Sequence, residues 1–149
     1  MAREASLTMD CNLYTEDLTV IIKAMNDIGW GFADDKMEYL PVGDNDLFNW
    51  QSDPLSYEKL FDIISEKQGK GELCGVILYH KESGRGLSLL AENTHEIMLS
   101  LNIDRKTVTE EYEGNADFTD FSWYIENIVL KLQHMGCDVF SLNYNEYMG

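Results

Sequence analysis

Ten consecutive residues in the second half of the chain alternate: His95, Ile97, Leu99, Leu101 and Ile103 take one set of positions, Glu96, Met98, Ser100, Asn102 and Asp104 the other. A period of two is the signature of an extended strand, whose successive side chains point to opposite faces. A helix would scatter the same apolar residues around its circumference. One face of this strand is apolar and needs a covering layer, which the chain supplies further on. Phe121, Tyr124, Ile125, Ile128, Val129, Leu132 and Met135 recur at helical spacing and stop at Gly136, predicting a helix over residues 120–135. Its apolar stripe is expected to pack on the strand face that bears Ile97, Leu99 and Leu101.

The same two periods divide the rest of the chain. Leu18, Ile21, Ile22, Met25 and Ile28 trace a helix with Thr15 as its expected N-cap, Glu16 and Asp17 in its first turn and Gly29 as its stop. Leu60, Phe61, Ile63 and Ile64 mark a second helix, capped by Ser56 and ended at Gly69 and Gly71. Strand formers over 73–79 and 87–91 flank the turn Glu82-Ser83-Gly84-Arg85-Gly86 as a hairpin. Residues 30–32 and 36–40 read as two shorter strands around Ala33-Asp34-Asp35, and 41–54 as a loop anchored by large apolar side chains. Residues 105–112 read as an edge strand running into solvent, and 139–147 as a final strand. The first ten residues carry no evident periodicity and are expected to be a flexible N-terminus, leaving 11–149 as one domain. Strands in runs between helices favour an α+β fold: an antiparallel or mixed sheet of about five to seven strands, with three helices mainly on one face.

Charge limits the partners. Against 11 lysines and arginines stand 27 aspartates and glutamates, a formal net charge of −16 over 149 residues. Such a field repels nucleic-acid phosphates and anionic lipid, and attracts a basic protein at long range until salt screens it. Cys11, Cys74 and Cys137 are odd in number and widely spaced, which fits buried thiols in a reducing compartment better than a disulfide framework. No export signal and no run of membrane-spanning length is apparent, so a cytoplasmic location is expected.

Catalytic signatures are missing. Gly69-Lys70-Gly71 and Gly84-Arg85-Gly86 are too short for phosphate-binding loops, and His95-Glu96 has no second histidine at the spacing a zinc-protease helix needs. Asp44, Asn45 and Asp46 fall out of register with a calcium loop. His134 and Cys137 are a conceivable nucleophile pair, but spacing alone says nothing of their geometry. No enzyme activity, metal or cofactor is expected. What stands out is acid interleaved with aromatic side chains, in Asp44, Asp46 and Trp50, and in Glu110, Glu111, Glu113, Asp117 and Asp120 leading to Trp123. Carboxylates pair with arginine and lysine, and a rigid aromatic supplies a desolvated anchor, so these are the candidate partner-binding residues.

Five segments carry a resemblance: Gly29-Trp30-Gly31, Tyr39-Leu40-Pro41-Val42-Gly43-Asp44, Asn49-Trp50-Gln51, Leu101-Asn102-Ile103-Asp104-Arg105 and Ser122-Trp123-Tyr124. From about Cys11 to its end the chain resembles bacterial immunity proteins, those partnered with contact-dependent growth inhibition toxins and related polymorphic toxins. The resemblance implies a protein that binds and neutralises a toxin domain, commonly a nuclease, in the producing cell. It carries no position-specific binding motif. An acidic adaptor or scaffold module of a larger assembly is the alternative, and a small enzyme with a site built from unremarkable residues is a third.

Overall fold

The computed structural model describes residues 3–108 and 117–149. In chain order these form β1 Arg3–Asp10, α1 Leu18–Asp27, β2 Trp30–Gly31, β3 Met37–Tyr39, β4 Gln51–Asp53, α2 Tyr57–Gly69, β5 Cys74–His80, β6 Gly86–Ala91 and β7 Ile97–Ile103. The third helix, α3, starts as Phe121–Tyr124, passes through a π-helical turn at Ile125–Val129 and ends as Leu130–His134. Strand β8, Ser141–Met148, follows.

All pairings are antiparallel, in the order β4-β3-β5-β6-β7-β1-β8, with β2 lying against β5 beside β3. The fold is α+β, and its eight-stranded sheet exceeds the expected strand count. One row of register partners runs across it: Tyr39 opposite Val76, then Leu89, Leu99, Leu7 and Tyr144. Residues on that face join Ile21, Ile22 and Met25 of α1, Leu60 and Ile64 of α2, and Tyr124, Ile128 and Leu132 of α3 in one core. The helices therefore cover a single face, and the α3 stripe meets Ile97, Leu99 and Leu101 in that core.

The N-terminal segment corrects the sequence reading. Far from flexible, residues 3–10 form β1, paired with β7 on one side and over its full length with β8 on the other. Its alternation is real, with Ala5, Leu7 and Met9 buried, but three apolar residues make a faint local pattern that only distant partners turn into a strand. The α1 cap also moves. Asp17, not Thr15, accepts the Thr19 N–H at 2.9 Å, while Thr15 Oγ1 accepts the Asp17 N–H at 3.0 Å. Strand β4 lies inside what read as loop. Of the supposed strand at 105–112, Thr107 makes one isolated bridge to Thr119 and residues 109–112 lie outside the described residues. Ser56 caps α2 as expected, accepting the Lys59 N–H at 3.1 Å.

Candidate interaction surface

The loop between β3 and β4 is organised from below by Lys67. Its side chain is fully buried, and its ammonium donates to the Pro41 carbonyl at 2.8 Å, the Asp44 carbonyl at 2.7 Å and Glu72 Oε1 at 3.3 Å. Glu72 also accepts the Gly43 N–H at 2.8 Å, a bond that holds its carboxyl below the usual range. Asp44 is 4% exposed, and its carboxylate accepts the Leu47 N–H at 3.0 Å and the Asn49 N–H at 2.6 Å. Those bonds shape the loop and leave Asp44 little surface to offer a partner. Asp46 is exposed, and so are Leu47 and Phe48, which the sequence reading passed over. Trp50 is half-buried. Its ring edge and Leu40 close over Gly75 on the sheet face away from the helices, where a Cβ on Gly75 would stand 3.0 Å from Trp50 Cη2 and 2.7 Å from Leu40 Cδ1.

The second sequence-derived patch separates into different roles. Glu110, Glu111 and Glu113 lie outside the described residues. Asp117 is exposed in a left-handed turn, and its carbonyl accepts an Arg105 guanidinium N–H at 2.7 Å. Asp120 caps α3 through the Trp123 N–H at 3.3 Å and pairs with Lys106 at 3.4 Å. An N-cap carboxylate satisfies donors that the first helical turn otherwise leaves open, and the helix dipole favours its charge. Trp123 is half-buried rather than displayed.

Trp123 belongs to an aromatic cluster that linear spacing does not reveal. His80 lies between Trp30 and Trp123, with ring centroids 5.0 and 5.1 Å away, and the two indoles meet edge to face at 6.1 Å. Trp30 is fully buried and donates its indole N–H to the Asn127 carbonyl at 3.0 Å. His80 is 4% exposed, with Nδ1 2.8 Å from Ser83 Oγ. Burial depresses its pKa below 6.5, Lys131 and Arg85 push the same way, and Glu82 opposes them. The unfolded chain then binds the proton more readily than the folded one. This contribution to stability is complete above pH 6.5 and is lost as pH falls below it. The thermal midpoint of the wild type should therefore fall more steeply between about pH 7 and pH 5 than that of His80→Gln; parallel curves would remove His80 as the cause.

Two neighbouring clefts, of about 360 and 600 Å3, share Phe32, Ala33, Asp34 and Lys81 in their walls. Asp35, Pro54 and Tyr57 line the smaller one, and Tyr79 and His80 the larger. Phe32, Tyr57 and Phe61 form an aromatic ladder with centroids 5.7 and 6.2 Å apart, and Tyr57 is 54% exposed. Beside the clefts, Tyr79 donates to Glu38 at 2.8 Å, and Tyr39 to Asp53 at 2.7 Å. Burial, with those bonds, pushes each phenol up to about 12. Asp34 and Asp35 are exposed at the tip of the β2–β3 turn. This is acid beside aromatic, the chemistry sought in the sequence, at a different place. The paired aspartates between two aromatic-bearing strands were its one local signal.

All three cysteines are free and buried. Cys11 and Cys137 are hydrogen-bond neighbours, a contact that raises the Cys11 pKa and lowers that of Cys137. No group of metal-ligating side chains occurs among the described residues, and no helix there is long and apolar enough to cross a membrane. The chain matches no family model, no curated protein and no solved structure.

Proposed function

We propose that the protein is an immunity protein that binds and neutralises a cognate bacterial toxin domain, basic and of the nucleic-acid-cutting kind, in the cytoplasm, acting by binding rather than catalysis. The observation that carries this reading is a net charge of −16 on a folded domain that leaves Asp34, Asp35, Asp46, Glu58, Glu82 and Glu126 exposed. Among the described residues, Glu66, Glu72, Asp104, Asp120 and Glu146 have a lysine or arginine partner within the chain. The exposed acids are placed to meet cations brought from outside. A nuclease must carry positive charge where it holds phosphate, and carboxylates set against that surface exclude the substrate electrostatically as well as sterically. Tyr57 and Phe48 are exposed aromatics next to acids, the kind of residue that anchors an interface.

Co-expression with the product of the adjacent gene tests the reading, with host growth and recovery of a complex as the readouts. Growth rescue with complex formation is expected. A complex without any effect on growth would point instead to the adaptor role, and no complex at all would overturn the proposal. With the complex in hand, association should slow as salt rises. Paired Asp34→Asn and Asp35→Asn substitutions should then be compared with Asp46→Asn, and with Glu110→Gln, Glu111→Gln and Glu113→Gln together. Neutralising a patch buried against arginine should speed dissociation and cost roughly 2–5 kcal/mol of binding free energy, whereas neutralising a rim patch should mainly slow association. Association independent of salt would show that the acidity does not drive recognition.

A further inference from the structure

We infer that the free edge of β8 is a self-association surface, on which a second copy of this chain adds its own β8 as a two-fold, antiparallel continuation of the sheet. Strand β8 pairs with β1 over eight residues, from Arg3 opposite Met148 to Asp10 opposite Ser141. Among the described residues, no strand pairs with its other side. The opposite end of the sheet closes on β4, which has three residues. A long unpaired edge presents a row of backbone donors and acceptors, and folded proteins ordinarily guard it with proline, lysine or a bulge. Ser141–Met148 contains no proline, lysine or arginine, and its register with β1 is continuous.

Local charge selects the occupant. In a chain of net charge −16 this strand carries one side-chain carboxylate, Glu146. That carboxylate is held within the chain by Arg3 at 3.5 Å, by the Thr119 N–H at 3.1 Å and by the Tyr144 hydroxyl. A basic strand would find no unengaged carboxylate along β8, and a second copy would find no opposing charge. The strand is also self-complementary. Ser141, Asn143, Asn145 and Tyr147 are exposed on the open face, while Leu142, Tyr144 and Glu146 are half-buried on the helix side. A two-fold axis through Asn145 sets Asn145 against its mate, Asn143 against Tyr147, Tyr144 against Glu146, and Leu142 against Met148. Each pair keeps its own face, and the helices of both copies stay on one side. Phe140, Tyr147 and Met148, exposed by 65%, 49% and 52%, lie at the two ends of the strand, where that pairing adds apolar contact.

Away from the edge the two copies repel, so dimerisation should strengthen with added salt, the reverse of the behaviour expected with a basic partner. The inference is independent of the toxin reading, and failure of either leaves the other intact. Sedimentation equilibrium of the purified chain at about 100 µM should show a dimer fraction that grows between about 0.05 and 0.5 M salt. Asn145→Lys places two ammonium groups face to face at the axis and should weaken association at least about tenfold. Ser65→Lys, the same charge change at an exposed position of α2, should not. Circular dichroism and thermal melting check that both variants fold, and Asn143→Lys serves in place of Asn145→Lys if the latter does not. A wild type monomeric at the high-salt limit, or an edge variant that dimerises like wild type, overturns the inference.

Discussion

Replacing Lys67 by methionine is expected to lower the unfolding free energy by roughly 2–5 kcal/mol, although the side-chain volume barely changes. The ammonium is fully buried and donates to the Pro41 and Asp44 carbonyls at 2.8 and 2.7 Å. Methionine fills the space and offers no hydrogen, leaving two carbonyls desolvated at about 1–3 kcal/mol each. Glu72, within 3.3 Å of the ammonium, loses its cation as well. The loop at 41–50 depends on the same atoms, since Asp44 shapes it through Leu47 and Asn49. Urea denaturation should show a lower midpoint with an unchanged slope. Limited proteolysis of the variant should open new cuts within 41–50. A variant as stable and as resistant as wild type would mean that water replaces the ammonium at both carbonyls.

Ile128→Ala is expected to destabilise the fold by roughly 2–5 kcal/mol. The side chain is fully buried in the π-helical turn of α3, within the core that holds Leu99 and Leu101. Truncation removes buried apolar surface and leaves a cavity that the surroundings refill only in part. Ile128→Val, a single methylene smaller, should cost about 0.5–1.5 kcal/mol, giving a graded series by thermal unfolding. An unchanged melting midpoint for Ile128→Ala would remove Ile128 from the core.

Legibility in the sequence followed the range of the interactions. The α3 stripe and the β7 alternation were readable because their periods are complete within a dozen residues. The two central hairpin strands were marked by the turn chemistry between them. Strand β1 was not readable: its burial comes from pairing with β7 and β8, and β8 lies at the far end of the chain. Acid-rich stretches were readable as composition but not as roles. Asp44 and Asp120 turned their carboxylates onto backbone N–H groups, whereas Asp34 and Asp35, which read only as a connection between two short strands, remained exposed.

By itself the sequence determined the α+β class, the helix-covered sheet face, the positions of α1, α2 and α3 within a few residues, and a strongly negative field. These follow from hydrophobic periodicity and summed charge, neither of which needs long-range geometry. Only the tertiary structure decided that residues 3–10 lie inside the sheet, that β8 comes last in the order of its described strands, and that His80 sits between Trp30 and Trp123. It also decided which carboxylates face solvent and which hold the backbone together. Those outcomes depend on which distant segments become neighbours, and a side chain's partners, burial and charge state are set by neighbours rather than by its place in the chain.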